Sequence, residues 1–189
     1  MTATERRYFE EMYESSHDPW SYSTSWYERR KYALTAAVLP RIQYSSAFEP
    51  GCSIGVLSEL LAARCDRLLA TDIISAPLER ASARLHRFPG VIVEQRAIPE
   101  WWPKQRFDLV VLSEVAYYFD AETLCNIMLK VSESTDPGAN LIAVHWRGQT
   151  NYPLTGDQAH ELIDDCSKFQ HVTHHVEKCF VLDVWERSQ

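Results

Sequence analysis

Glycine is scarce in this chain, with six residues among 189, and only Gly51 and Gly55 fall in one turn. A dinucleotide fingerprint needs three glycines spaced G-x-G-x-x-G around a pyrophosphate, so that cradle is not spelled out. Basic residues are outnumbered too: 19 Lys and Arg against 26 Asp and Glu leave a formal charge of −7. Nucleic-acid binders neutralise phosphates with clustered Lys and Arg, and this balance gives no drive toward them. No apolar run approaches the roughly 20 residues of a membrane span, and the polar start Met1–Ser16 has no signal-peptide core. The expectation is a cytoplasmic protein with neither a nucleic-acid nor a membrane partner. The five cysteines, Cys52, Cys65, Cys125, Cys166 and Cys179, are odd in number and lack CxxC spacing. That pattern excludes a zinc ribbon or redox pair and reads as reduced, mostly buried thiols.

What is present centres on Ala47-Phe48-Glu49-Pro50-Gly51-Cys52-Ser53-Ile54-Gly55. It reads as a buried strand that turns on glycine and opens into a helix, Val56–Cys65, so that backbone N–H groups face a ligand. Gly51 lets the backbone turn tightly beside that ligand, and Gly55 lets the new helix pack close to the strand. Glu49 and Ser53 add polar groups to the turn. Downstream, Arg67–Asp72 is a second apolar strand ending in a carboxylate about 20 residues on, where a ribose would bond. With Ile73 behind it, Asp72 gives the site a nucleoside character.

The remaining chain alternates helix and strand. Tyr8, Phe9, Met12 and Tyr13 form one face of a helix Thr4–Ser15, either a lid or a plain packing helix. A loop carrying Trp20 and Tyr22 leads to a helix that Ser25 caps and that stops at Pro40. On it, Trp26 and Tyr27 with Trp20 would close over a positively charged cofactor, and Arg30 or Lys31 would pair with its carboxylate. The alternative is an ordinary helix with solvated basic residues. A helix Ala76–Leu85 and a third strand Val91–Glu94 follow, and Arg96 and Ala97 leave that strand at the edge where open α/β sheets bind ligands, a place for an adenine ring. Phe107–Leu112 is a near-continuous apolar run, as in a strand covered on both faces. Its exit, Ser113-Glu114-Val115-Ala116-Tyr117-Tyr118, places a carboxylate and two phenols at the ligand edge.

Asp120 then opens a helix to Val131, Asp136-Pro137-Gly138 is a turn, and Asn140–His145 is the fifth strand. His145 at its end would accept a proton near neutral pH. Thr155 and Gln158 form a capping box for a helix Gly156–Phe169. Val172–Val176 and Phe180–Trp185 alternate as two antiparallel strands. On a strand His174 and His175 point to opposite faces, which argues against a shared metal, and no metal is called for.

The glycine turn with Asp72 resembles motif I of the class I S-adenosylmethionine-dependent methyltransferases. Asp18-Pro19-Trp20, Glu28-Arg29, Pro50–Gly55 and Glu114-Val115-Ala116-Tyr117-Tyr118 resemble the NodS family of N-methyltransferases. The resemblance covers about the first two thirds of the chain. It implies a three-layer, Rossmann-like α/β fold with a seven-stranded sheet in the order 3-2-1-4-5-7-6. It further implies S-adenosyl-L-methionine as cofactor and, as acceptor, the free amine of a deacetylated chito-oligosaccharide. His145-Trp146-Arg147 and Tyr152–Asp157, where acceptors bind, depart from that family.

The expected organisation is a single methyltransferase domain over residues 1–189, with lid or cap helices in 1–40 and the core in 41–189. Trp20, Tyr27, Arg30, Glu49, Gly51, Ser53, Gly55, Asp72, Ile73, Arg96, Ala97, Ser113 and Glu114 are the cofactor candidates. Glu114, Tyr117 and His145 are the catalytic candidates. Three alternatives stay open: an O-methyltransferase using His145 as base, a non-catalytic cofactor-binding module, and a nicotinamide-dependent reductase.

Overall fold

The computed structural model describes residues 6–189. Seven strands run in the order β3-β2-β1-β4-β5-β7-β6, as expected. The chain divides into two compact units, one ending at Ala97 and the other spanning Ile98–Gln189.

The first unit opens with α1 (Arg6–Ser15); the predicted start at Thr4 lies outside the described residues. In α2 (Trp26–Ala37) the Ser25 hydroxyl accepts from Glu28 N, so the cap read from the sequence forms. Strand β1 (Ala47–Pro50) pairs in parallel with β2 (Leu68–Asp72), and β2 with β3 (Val91–Gln95). Residues of β1 and β2 are buried throughout, which their apolar runs require of strands covered on both faces. Helix α3 (Val56–Ala62) ends short of the predicted Cys65, because Cys65 forms an isolated parallel bridge with Tyr44. Helix α4 spans Ser75–Leu85. Gly55 has φ +76°, and a Cβ there would lie 3.1 Å from Ala81 Cα. The missing side chain therefore serves the approach of α3 to α4, not that of helix to strand as the sequence suggested.

The second unit contains β4 (Phe107–Ser113), a 3-10 turn (Ala116–Tyr118), α5 (Ala121–Glu133), β5 (Thr135–Trp146), α6 (Gly156–Cys166), β6 (Phe169–Val176) and β7 (Phe180–Arg187). Strands β4 and β5 are parallel, whereas β7 runs antiparallel to both β5 and β6. Leu109, Val110, Val111, Leu141, Ile142 and Val144 are wholly enclosed. Each such side chain contributes about 1.5–3 kcal/mol relative to exposure. Two boundaries differ from expectation. Asp136-Pro137-Gly138 lies inside β5, where the pairing with β4 slips between Phe107 and Leu109. Helix α6 stops at Cys166, because Phe169 already pairs with Arg187 in the β6–β7 ladder.

Cys125 on α5 and Cys166 on α6 are joined in a disulfide with a Cα separation of 5.3 Å. This overturns the reading of five reduced thiols; Cys52, Cys65 and Cys179 stay outside the disulfide. Among the described residues no helix is long and apolar enough to cross a membrane.

Candidate active site

The glycine turn and the end of β2 are tied together in the first unit. Gly51 and Ser53 have φ of +79° and +50°, and this left-handed path turns the backbone back on itself. Gly51 N and Cys52 N both donate to Thr71 O, at 2.7 and 2.9 Å. Ser53 N donates to Asp72 Oδ2 at 2.9 Å, and Ile74 N to Asp72 Oδ1 at 2.9 Å. The pairing of turn and carboxylate inferred from spacing is thus a direct bond. Arg96 N donates to Asp72 O at 3.0 Å, which brings the backbone leaving β3 alongside; the Arg96 side chain turns to Glu94, 3.1 Å away.

Two buried carboxylates stand at these strand ends. Burial pushes Asp72 up to about 6, against the N–H groups of Ile74, Ser53 and Ile73, which favour its ionised form. Burial pushes Glu49 up to about 7, with nearby Ser58 opposing and the Asp72 charge adding to the rise. Glu49 Oε2 has no hydrogen-bond partner. A buried acceptor left without a donor is costly in a closed core, and it suits a site that receives a polar ligand.

The N-terminal helices contribute one contact that the sequence did not single out. Tyr13 of α1 shares a hydrogen bond of 2.5 Å with Ser53 Oγ, so the first helix rests on the glycine turn. Trp20 packs edge-on against Tyr13, ring centroids 5.6 Å apart, and stacks on Tyr22. On α2 the predicted basic pair divides. Lys31 is 1% exposed, bonded to Glu28 at 2.9 Å and set over the rings of Tyr27 and Tyr32, so its charge is already engaged. Arg30 is exposed. Trp26 is 70% exposed under Arg29, which takes it out of an aromatic enclosure.

In the second unit, Ser113 closes β4, buried and in register with Val144. Glu114 follows with φ +54°, a conformation that costs a non-glycine residue about 1–3 kcal/mol and clusters at functional sites. Its N–H donates to Val144 O at 2.8 Å. Its Oε2 accepts from Tyr117 OH at 2.5 Å and from Trp146 N at 3.0 Å. Tyr117 is buried among Tyr118, Tyr152 and His145, at centroid distances of 4.7, 5.1 and 4.9 Å. The sequence-predicted Glu114, Tyr117 and His145 do converge.

His145, however, is fully enclosed. Its Nε2 lies 3.0 Å from Ala116 N, and a backbone N–H can only donate, so Nε2 is an acceptor. Nδ1 then carries the proton and donates to His160 Nε2 at 2.9 Å, and His160 Nδ1 donates to Asp183 Oδ2 at 2.6 Å. Burial would raise the Asp183 carboxyl, but bonds from His160, His174 and His171 hold it below the ordinary range. A buried imidazole with both nitrogens engaged does not meet an acceptor, so the expected base is instead a positioning residue for the turn that carries Glu114 and Tyr117. His160 and Asp183 escaped the sequence reading because they lie 15 and 38 positions from His145, and no local spacing links them. Gly156 also escaped it: a Cβ there would meet Trp146 O at 2.5 Å, so only glycine starts α6 this close to the end of β5.

A seven-stranded sheet in this order, with its last strand reversed and a glycine turn bonded to the carboxylate ending β2, defines the class I methyltransferase fold. The chain belongs to the Nodulation protein S (NodS) family, whose sequence model matches residues 4–142. Nodulation protein S of Bradyrhizobium diazoefficiens is 33% identical over 102 residues, 53% of this chain and 49% of that protein. The chain spans about half the length of the curated relatives it matches. A crystal structure from Pseudomonas syringae, described as a candidate methyltransferase, is 40% identical with a TM-score of 0.77, covering 86% of this chain and all of that one. N-methyltransferase NodS from Bradyrhizobium japonicum WM9, in complex with S-adenosyl-L-homocysteine, superposes with a TM-score of 0.85 at 20% identity over 97% of this chain and 98% of that one. That last likeness is one of fold.

Proposed function

We propose that this chain is an S-adenosylmethionine-dependent methyltransferase, organised as one domain over residues 1–189, that methylates the amine of a small molecule, a sugar amine or a similar metabolite. The observation that carries the reading is the bond from Ser53 N–H to Asp72 beside the unpaired Glu49 Oε2. It makes one polar, acceptor-rich corner of the kind a nucleoside with a cationic amino-acid tail requires. Gly51, Ser53 and Gly55 would shape the backbone there, Asp72 with Ile73 would take the ribose hydroxyls, and the 96–97 backbone would border the base. Glu49, Trp20, Tyr27, Arg30 and Ser113 complete the set proposed for the cofactor. Lys31 is left out, since Glu28 already holds it.

Bound, the cofactor would supply a methyl group on a positively charged sulfur. The chain's part is to hold an amine in its neutral form, align its lone pair and exclude water. Glu114 is suited to hold the amine, since its carboxylate is fixed by Tyr117 OH and Trp146 N and would accept an amine N–H and then its proton. Tyr117 keeps that carboxylate in place. The engagement of both His145 nitrogens removes the base on which the O-methyltransferase alternative rested, which supports the amine reading.

The test is calorimetric titration with S-adenosyl-L-homocysteine and NADH, then transfer of labelled methyl from S-adenosyl-L-methionine to glucosamine oligomers and to their N-acetylated counterparts. Binding of the homocysteine product and labelling of the free amines alone is the expected result. Binding of NADH alone would overturn the reading.

A further inference from the structure

Strand β6 carries a bulge. The β6–β7 register slips between His171 and Thr173, so Val172 is an extra residue opposite β7. The slip reverses the parity of the residues beyond Val172: His171 and His174, three positions apart and expected on opposite faces, both reach Asp183 of β7. His174 Nδ1 lies 2.6 Å, and His171 Nε2 3.1 Å, from Asp183 Oδ1. His175 points elsewhere, to Glu177 and the Phe180 ring.

We infer that His171 Nε2, His174 Nδ1 and Asp183 Oδ1 form a binding site for one divalent first-row transition cation of the zinc type. The inference is independent of the methyl-transfer reading. Two imidazoles and one carboxylate are a donor set that suits such cations and leaves a position open to water. The three atoms lie within 4.8 Å of one another. Metal–ligand bonds near 2.0–2.1 Å in a tetrahedron separate ligand atoms by about 3.3 Å, so the imidazole–carboxylate contacts of 2.6 and 3.1 Å need to open by less than about 1 Å while the two imidazoles adjust to each other within that span. The imidazoles can give that, with side chains 33% and 60% exposed, while Asp183 is 2% exposed and fixed.

The surroundings strengthen the case, because ligand side chains in metal sites are commonly oriented by partners of their own. His160 Nδ1 holds Asp183 Oδ2 at 2.6 Å and so turns Oδ1 outward. His171 stacks on Trp185 at 5.1 Å, its Nδ1 is 3.5 Å from Asp164 Oδ2, and Trp185 Nε1 donates to the other oxygen of Asp164. Binding requires that His171 Nε2 give up its 3.0 Å contact with Thr173 O and that each imidazole move its proton to the opposite nitrogen. For His171 that nitrogen faces Asp164, and for the exposed His174 it can reach water.

The experiment is titration of tag-free, full-length protein with zinc chloride by calorimetry near neutral pH, alongside His174→Ala, His171→Gln and Cys179→Ser. Expected are one site of micromolar or tighter affinity, weakening of at least about tenfold in each histidine variant, and no change in Cys179→Ser. Cooperative melting of each variant without metal shows that it folds, and the rise in melting temperature that zinc gives the wild type should be lost in both histidine variants. Cobalt(II) should give a weak visible ligand-field band with no thiolate charge transfer. Failure of the wild type to bind, equal binding by the histidine variants, or a thiolate band would each overturn the site.

Discussion

Ser53 N donates to Asp72 Oδ2 across 19 positions of sequence, which fastens the glycine turn to the end of β2 in a single bond. Asp72→Asn should weaken S-adenosyl-L-homocysteine binding about tenfold or more, near 1.4 kcal/mol, because the amide keeps only one acceptor oxygen. In the wild type, affinity should rise as pH increases through about 6, where Asp72 ionises, and the variant should lose that dependence. Calorimetry across that range tests both.

Glu49 and Asp72 also govern stability. Both have folded values above their ordinary ones, so between the two values the folded chain holds protons that the unfolded chain has released. Stability of the ligand-free protein should therefore fall as pH rises from about 4 through 6 for Asp72, and through 7 for Glu49, each on the order of 3 kcal/mol. Asp183, held low, acts in the opposite sense and loses its contribution only in acid. Urea unfolding at several pH values should show the decline, and Glu49→Gln should flatten it.

The backbone at Glu114 offers a separate test. Glycine accepts φ +54° without strain, which offsets part of the loss of the Tyr117 and Trp146 bonds, so Glu114→Gly should lower stability by no more than about 3 kcal/mol while lowering kcat at least about tenfold. Thermal melting and a methyl-transfer assay on the same sample would separate the two effects. Equal kcat would remove Glu114 from the site.

His145→Ala leaves the Ala116 N–H without its acceptor and opens a cavity beside His160, at a cost of about 2–4 kcal/mol. His145→Gln, whose side-chain oxygen reaches a similar position, should recover part of that loss. Denaturant midpoints of the three proteins would rank them.

The Cys125–Cys166 bridge closes a separation of 41 residues, for which loop entropy gives about 4 kcal/mol. Reduction should lower the melting temperature, and Cys125→Ala should reproduce the reduced value and no longer respond to reductant.

Much of this architecture could be read beforehand because its causes are local. The apolar run from Phe107, the caps at Ser25 and Thr155, and the spacing of Gly51 to Asp72 each act within a few residues or one strand–helix unit. What escaped the reading is non-local. The path from Ala116 through His145 and His160 to Asp183 joins the post-β4 turn to β5, α6 and β7, and the disulfide joins the start of α5 to the end of α6. The bulge at Val172 was hidden for another reason: one inserted residue reverses the alternation by which strand faces are assigned. The shortened α3 shows tertiary pairing overriding propensity, since Tyr44 draws Cys65 out of the helix.

The kink in β6 matters for the protein's life in a crowded solution. This strand is the last in the sheet, and its outer rim is an open template on which another chain could add. An inserted residue and a row of imidazoles spoil that template, because an incoming flat strand cannot match its spacing. Straightening the rim by deleting Val172 would restore a regular ladder and invite the molecules to stack into aggregates.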